Sequence, residues 1–210
     1  MREHFPEMVK YYFSVIYNIN YYQESDILDL LAPLLNITKT EFHIFRPEQN
    51  PSLSYYSEEM GGQPSLKRIF LFSYSLEIRE KLPMLKVACE EIESQHRNKN
   101  KDILCRPLNI DPGYLALEHI VLSTHKPFAH RFYLGNGVYA EIEFLFKNKR
   151  YESLPWTYPD YADVQKSFMW IQMRQSLLES LRLKNKQIVL NNNENITVNK
   201  LEITGHESIS

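Results

Sequence analysis

Cysteine and glycine are scarce in this chain, with two and six residues respectively among 210. Cys89 and Cys105 stand far apart and neither is flanked at metal-ligand spacing, so neither a disulfide framework nor a zinc module is expected. Two buried thiols in a reducing compartment are the expectation, which places the protein in the cytoplasm. None of the glycines falls into a G-x-x-x-x-G-K-[ST] arrangement, which excludes a P-loop. An excess of either charge is also missing: 24 Lys and Arg face 26 Asp and Glu, for a net charge of -2. With a pI near 6.4 there is no bulk attraction for phosphate backbones, so a nucleic-acid partner is not expected. Long apolar runs are absent as well. No stretch approaches the ~18 residues of a membrane span, and the first residues carry no apolar signal core.

What is present is an ordinary globular composition, 43% hydrophobic and 24% charged, enough for one sizeable core. Residues 9–17 are rich in β-branched and aromatic side chains and read as a buried strand. From Ser25 to Leu35 apolar residues recur at helical spacing, with Ser25 as N-cap and Pro33 shortening the helix. Strands follow at Thr40–Phe45 and Leu66–Tyr74, then a helix over about Glu80–His96, a polar turn at Arg97–Lys101 and a fourth strand at Ile103–Ile110. This order predicts an α+β fold with a ferredoxin-like split βαβ core. Asp111-Pro112 reads as an N-cap followed by Pro at the first helical position, opening a short helix over about Gly113–Ser123, while Ile120-Val121-Leu122 fits a strand equally well.

Gly135-Asn136-Gly137 reads as a three-residue hairpin loop, with Leu134 opposite Val138, Arg131 opposite Glu141 and Tyr133 opposite Tyr139. In that register Phe132, Leu134, Val138, Ala140, Ile142 and Phe144 form the core face. An amphipathic helix is expected over Val164–Leu183, through Phe168, Ile171, Leu178 and Leu181. The division is therefore one domain over 1–184, extended by the hairpin and the C-terminal helix. A polar, Asn-rich, loosely ordered tail over 185–210 is capable of a marginal hairpin.

The string Leu154-Pro-Trp-Thr-Tyr-Pro-Asp-Tyr161 departs furthest from generic core sequence, because its two prolines hold three aromatics on an irregular segment. It joins Tyr55-Tyr-Ser-Glu-Glu-Met-Gly61, Asn109-Ile-Asp-Pro-Gly-Tyr-Leu115, His130-Arg-Phe-Tyr-Leu-Gly135 and Gly137-Val-Tyr-Ala-Glu141 as a set of distinctive strings. In order and spacing the set resembles the bacterial family catalogued as domain of unknown function 4416, over roughly Val9–Leu183. The resemblance implies the domain limits but no activity.

The chemistry-bearing residues suggest a small-molecule or nucleotide-like ligand site. Tyr56 and Glu59 sit on an acid-rich loop, and Arg68 beside it is an anion contact. Asp111 and Tyr114 lie where the fourth strand ends. His130 is a neutral-pH acid or base, and Arg131, Tyr133, Tyr139, Glu141 and Glu143 share the polar face of the hairpin. Trp156, Tyr158 and Asp160 supply a wall folded back over that face. No cofactor is identified and no metal is expected, since the histidines lack ligand spacing. Whether the site is catalytic stays open, and a noncatalytic protein-interaction domain with structural aromatics is the alternative.

Overall fold

The nine residues Lys10–Asn18 are all buried, because β1 lies in the middle of a sheet covered on both faces. This computed structural model describes residues 5–47, 56–61, 65–100, 103–162 and 164–204. Helix α1, Glu24–Leu31, follows β1 and tightens into a 3₁₀ turn at Ala32–Leu35, where Pro33 cannot continue the α-helical ladder. It begins at Gln23 rather than Ser25, since the Asp26 carboxylate reaches back to accept the Gln23 N–H at 2.7 Å. Strand β2, Phe42–Phe45, pairs with β3, Leu66–Ser73, and helix α2, Leu82–Gln95, comes next. The expected polar turn after α2 is instead a small hairpin, β4 at Asn98–Asn100 with β5 at Ile103–Cys105.

The largest correction concerns residues 108–124. Where a capped helix was expected, β6 runs from Leu108 to Leu115 and β7 from His119 to Thr124. Asp111 is a mid-strand residue paired with Ser14, not a cap. Pro112 is tolerated because Ile110, two residues earlier, points its N–H away from β1 toward a Glu93 carboxylate oxygen at 2.6 Å. The missing Pro112 donor faces that same side, where β6 and β7 part beyond the Gly113–Leu122 pair, so no ladder bond is lost. Gly113 is required there: the Tyr12 ring lies against it, and the Tyr12 hydroxyl donates to the Val121 carbonyl at 3.2 Å.

Strands β8, Arg131–Gly135, and β9, Val138–Lys147, form the expected hairpin, and β10, Arg150–Ser153, completes the sheet. The turn itself has two residues, Asn136 and Gly137, both with positive φ, and a register shift between Tyr133 and Gly135 absorbs Leu134. That bulge restores Arg131 opposite Glu141 and Tyr133 opposite Tyr139. The expected core face holds on β9, where Val138 and Phe144 are buried and Ala140 and Ile142 pack against the core, but not on β8, where Phe132 and Leu134 are exposed, and Glu141 and Glu143 are buried as well. Phe132 is 64% exposed, whereas Glu141 is 1% exposed and Glu143 fully buried. Strands β8 and β10 share one edge of β9 and β7 takes the other, so β9 is covered along its length while β8 is an edge strand that leaves Phe132 and Leu134 in solvent.

All these strands pair antiparallel in the order β10-β9-β7-β6-β1-β3-β2, with β8 alongside β9. One face packs Tyr11, Phe13 and Ile69 against α1 and α2. The other packs Tyr12, Phe70, Phe72 and Phe144 against a short helical turn, α3 at Pro159–Ala162, and helix α4 at Val164–Thr204. Its buried stripe is Met169, Trp170, Met173, Leu177 and Leu181; of the expected residues Leu181 is buried and Ile171 packs against the cluster, whereas Phe168 faces outward. No hairpin forms in the Asn-rich stretch. Propagating a helix already anchored by its packed half is easier than nucleating new structure, and α4 continues to Thr204. Among the described residues no helix is long and apolar enough to cross a membrane.

Candidate functional site

A polar patch interrupts the aromatic sheet face beneath α3 and α4. Side chains alternate along a strand, so Ser14 on β1 shares this face with Tyr12, Arg68 on β3 with Phe70 and Phe72, and Asp111 on β6 with Gly113 and Leu115. The parting of β6 and β7 then leaves the outer edge of β6 open to α2. Lys86 of α2 reaches through this opening to Asp111 Oδ1 at 2.9 Å and to the Ile110 carbonyl at 3.4 Å, while Asn109 donates to Asp111 Oδ2 at 2.7 Å. Two turns along α2, Glu93 takes the Ile110 N–H and pairs with Arg106 at 3.1 Å. Arg106 also donates to Asn109.

Burial opposes charge on each of these groups, and the pairing decides the outcome. For Lys86, burial pulls the ammonium pKa down, but Asp111 and Glu93 more than offset it and hold it above its ordinary value. For Asp111, burial pushes up, and Lys86 together with Asn109 brings the carboxyl below the usual carboxylate range. Glu93 goes the other way: burial raises it and Arg106 compensates only in part.

A cavity of about 320 Å³ opens on this cluster. Ser14, Arg68, Asn109 and Asp111 form its floor. Leu122 to Lys126 and the outer turns of α2 make two walls, with His125 Nε2 2.8 Å from Glu90 across them. Tyr56 and Glu59 form a third wall, on a turn anchored by the buried Met60, whose carbonyl accepts from the Asn18 side chain at 2.8 Å. Tyr158 and Tyr161 close the fourth.

The segment 154–158 lies as a strap across β9. Trp156 Nε1 donates to the Ile142 carbonyl at 2.9 Å, Thr157 Oγ1 to the Glu143 carbonyl, and the Tyr158 N–H to Glu143 Oε2 at 3.2 Å. The Trp156 ring stacks on His130 at 4.6 Å with planes 9° apart. Under the strap, Glu141 is fully engaged, Oε1 with His130 Nε2 at 2.6 Å and Oε2 with Arg131 Nε at 2.8 Å. Arg131 in turn reaches the Tyr158 hydroxyl at 3.3 Å. Glu143 has only the Tyr158 N–H on one oxygen, and its Oε1 has no hydrogen-bond partner among the described residues. Burial first, and then the neighbouring Glu141, push the Glu143 carboxyl up to about 8.

Of the residues singled out from sequence, Tyr56, Glu59, Arg68, Asp111 and Tyr158 line the cavity. Glu141, Glu143, Arg131, His130 and Trp156 form the layer behind Tyr158. Tyr114 is not in the site: it lies on the opposite sheet face, edge-on to Tyr11 at 6.3 Å. Tyr133 and Tyr139 pair with each other at 5.2 Å on the hairpin, outside the cavity lining. The Asp160 side chain lies outside the described residues. Sequence reasoning missed Lys86, Glu93, Arg106 and Asn109. A lysine and a glutamate seven residues apart share one helix face with Cys89, which placed both charges on the buried stripe; that was the available signal. Among the described residues no group of three or more His, Cys, Asp or Glu converges to hold a metal ion.

Comparison with known proteins identifies a family. The model of a family described as a domain of unknown function (DUF4416) matches residues 7–176. No curated protein and no solved structure matches the chain.

Proposed function

The chain belongs to the DUF4416 family, and from that premise we propose that it is a small-molecule-binding domain whose ligand occupies the cavity where β6 and β7 part. The family supplies no activity, so the reading rests on the site. One observation carries it: charged side chains are concentrated on a sheet face that aromatic packing otherwise fills. Buried charge rarely gains stability over a hydrophobic replacement of the same volume, so such a cluster points to function. A volume of about 320 Å³ matches a small metabolite. The Tyr56, Tyr158 and Tyr161 rings offer aromatic surface, and Arg97, Arg106 and Lys126 offer cations to an anionic group, which favours a nucleotide-like ligand. The order β6-β1-β3-β2 with α1 and α2 on one face supports reading the core as a ferredoxin-like split βαβ unit. Stacking of RNA on sheet aromatics is disfavoured, since α4 covers the face that would present them.

A thermal-shift screen against nucleotides and sugar phosphates tests the reading. A ligand at 100 times its Kd raises stability by about 2.7 kcal/mol. Tyr56→Ala and Lys126→Ala, both at the cavity rim, are expected to remove the shift while leaving the ligand-free melting temperature in place. No shift across the panel, or a shift that survives both substitutions, sinks the proposal.

A protein-interaction domain is the second reading. It is favoured by Phe128, Phe132 and Tyr133, exposed at 65%, 64% and 63% on the hairpin and its approach. Sedimentation of wild type against a Phe132→Ser, Tyr133→Ser double variant tests it, and a monomer unchanged by the substitutions removes self-association as the explanation.

A further inference from the structure

Two neighbouring carboxyl groups on β9 are held in opposite ways. Glu141 has both oxygens engaged, by His130 and Arg131. Glu143, two residues on, sits at a register shift: Ile120 pairs with Phe144 and Val121 with Ile142, so Glu143 is the extra residue of a β-bulge. The bulge turns it under the strap, where it is fully buried with Oε1 unpartnered among the described residues. The Tyr161 hydroxyl, on the cavity wall next to Tyr158, is buried beside Ser14 and Tyr12. Buried polar atoms in folded proteins almost always have partners, so an orphan carboxyl oxygen directly behind the Tyr158 wall of the cavity is one that a ligand reaching past that wall would complete.

We infer that Glu143 is the acid–base residue of this site, exchanging a proton with a polar ligand seated against Tyr158 and Tyr161. The inference rests on the cavity being a ligand site. In the forward step the Oε1–H bond breaks, a bond forms from that proton to a basic ligand atom, and a carboxylate remains. The reverse step restores the acid, and no further reactant is needed. Side-by-side carboxyls driven into different environments are a recurring arrangement for dividing such roles.

The groups that face Glu143 agree with a neutral resting acid. Glu141 on its own strand and Asp111 on β6 are acidic and disfavour its ionisation; Arg131 on β8 and the Tyr158 N–H of the strap favour it. Tyr12 on β1 and Tyr161 on α3 are phenols whose own ionisation burial suppresses. Burial outweighs the favourable contacts, so the acid persists to about pH 8.

The test uses the full chain and adenosine 5′-monophosphate as the probe. Carbon-13 NMR of the free protein is expected to show one glutamate titrating near 8 that disappears in Glu143→Gln. Titration calorimetry in buffers of different ionisation enthalpy is expected to show proton exchange on binding to wild type, with affinity changing about tenfold between pH 7 and 9, one pKa unit's worth. Both effects are lost in the isosteric Glu143→Gln, and Tyr161→Phe weakens binding while retaining the proton exchange. A normal glutamate midpoint overturns the inference whatever binds. Binding with the same proton count in Glu143→Gln overturns it while leaving the ligand site standing, and absence of binding to wild type removes both.

Discussion

The Lys86 ammonium lies 2.9 Å from the Asp111 carboxylate, and this contact joins α2 to β6 through the opening in the sheet. Neither group has another full charge as close among the contacts described for it. Removing one partner strands the other in a buried environment, which typically costs 3–5 kcal/mol. Lys86→Met is therefore expected to destabilise the fold by about 3 kcal/mol. Urea unfolding at pH 7 measures this, and a loss below about 1 kcal/mol would place the pair in a solvated setting.

The same pair predicts acid sensitivity. Asp111 is held below its unfolded value, so its contribution is present above the unfolded pKa and is lost as pH falls through the folded one. Stability should drop more steeply below pH 4 in wild type than in Asp111→Asn, even though the variant starts lower. Parallel acid limbs in the two proteins would contradict this.

Glu143 has the opposite sign. Its folded value, about 8, stands above the ordinary 4.5, so the fold binds its proton more tightly than the unfolded chain does. The associated stability is complete below about pH 4.5 and is lost as pH rises toward 8. Glu143→Gln keeps the shape without the charge, and at pH 8.5 it is expected to exceed wild type by at least about 1 kcal/mol, or ~2–4 °C in a chain of this size. Differential scanning calorimetry at pH 5 and 8.5 checks it, and a variant that is less stable at both pH values refutes it.

At Gly113 any Cβ would overlap the Val121 carbonyl and the Tyr12 ring, and the obstacle is backbone on one side. Gly113→Ala is expected to destabilise by about 2–3 kcal/mol, the cost of overpacking a rigid core. Chemical denaturation decides, and a neutral substitution would mean that β6 and β7 can separate further at no cost.

Trp156 fixes the strap through its stack on His130 and its bond to the Ile142 carbonyl. An aromatic pair contributes roughly 0.5–1.5 kcal/mol beyond area burial, so Trp156→Ala is expected to lower global stability by only about 1–2 kcal/mol. The strap itself should loosen more. Limited proteolysis should then cut within 154–158 faster than in wild type, and unchanged cleavage would show the strap held by Thr157 and Tyr158 alone.

Local patterns made much of this chain legible. Six aromatic and β-branched residues among the nine of Lys10–Asn18, falling on both sides of the strand, specify β1 as a strand buried on both faces. Pro33 specifies the end of α1, and Asn136-Gly137 specifies a hairpin. The cross-strand partners Arg131 and Glu141 hold because the bulge at Leu134 makes up for a turn one residue shorter than the expected loop, and the proline-spaced aromatics mark a segment that can only lie over something. These are consequences of backbone sterics and side-chain period, which act within a few residues.

Other features depended on contacts that no local window contains. Asp111-Pro112 satisfies every local rule for a helix start, yet it is a strand, because Ser14 pairs with it from about a hundred residues away and β7 parts to spare the missing N–H. The hairpin's alternation announces two faces but not how much of each is buried. Tertiary structure decided that when the strap and α3 covered the Glu141 and Glu143 side and left Phe132 in solvent. The amino-acid order determined strands, turns and the rigid aromatic string, since these answer to near neighbours. The cavity, the Lys86–Asp111 contact and the protonation of Glu143 came from the packing of distant elements, because desolvation and ion pairing depend on what surrounds a charge in space.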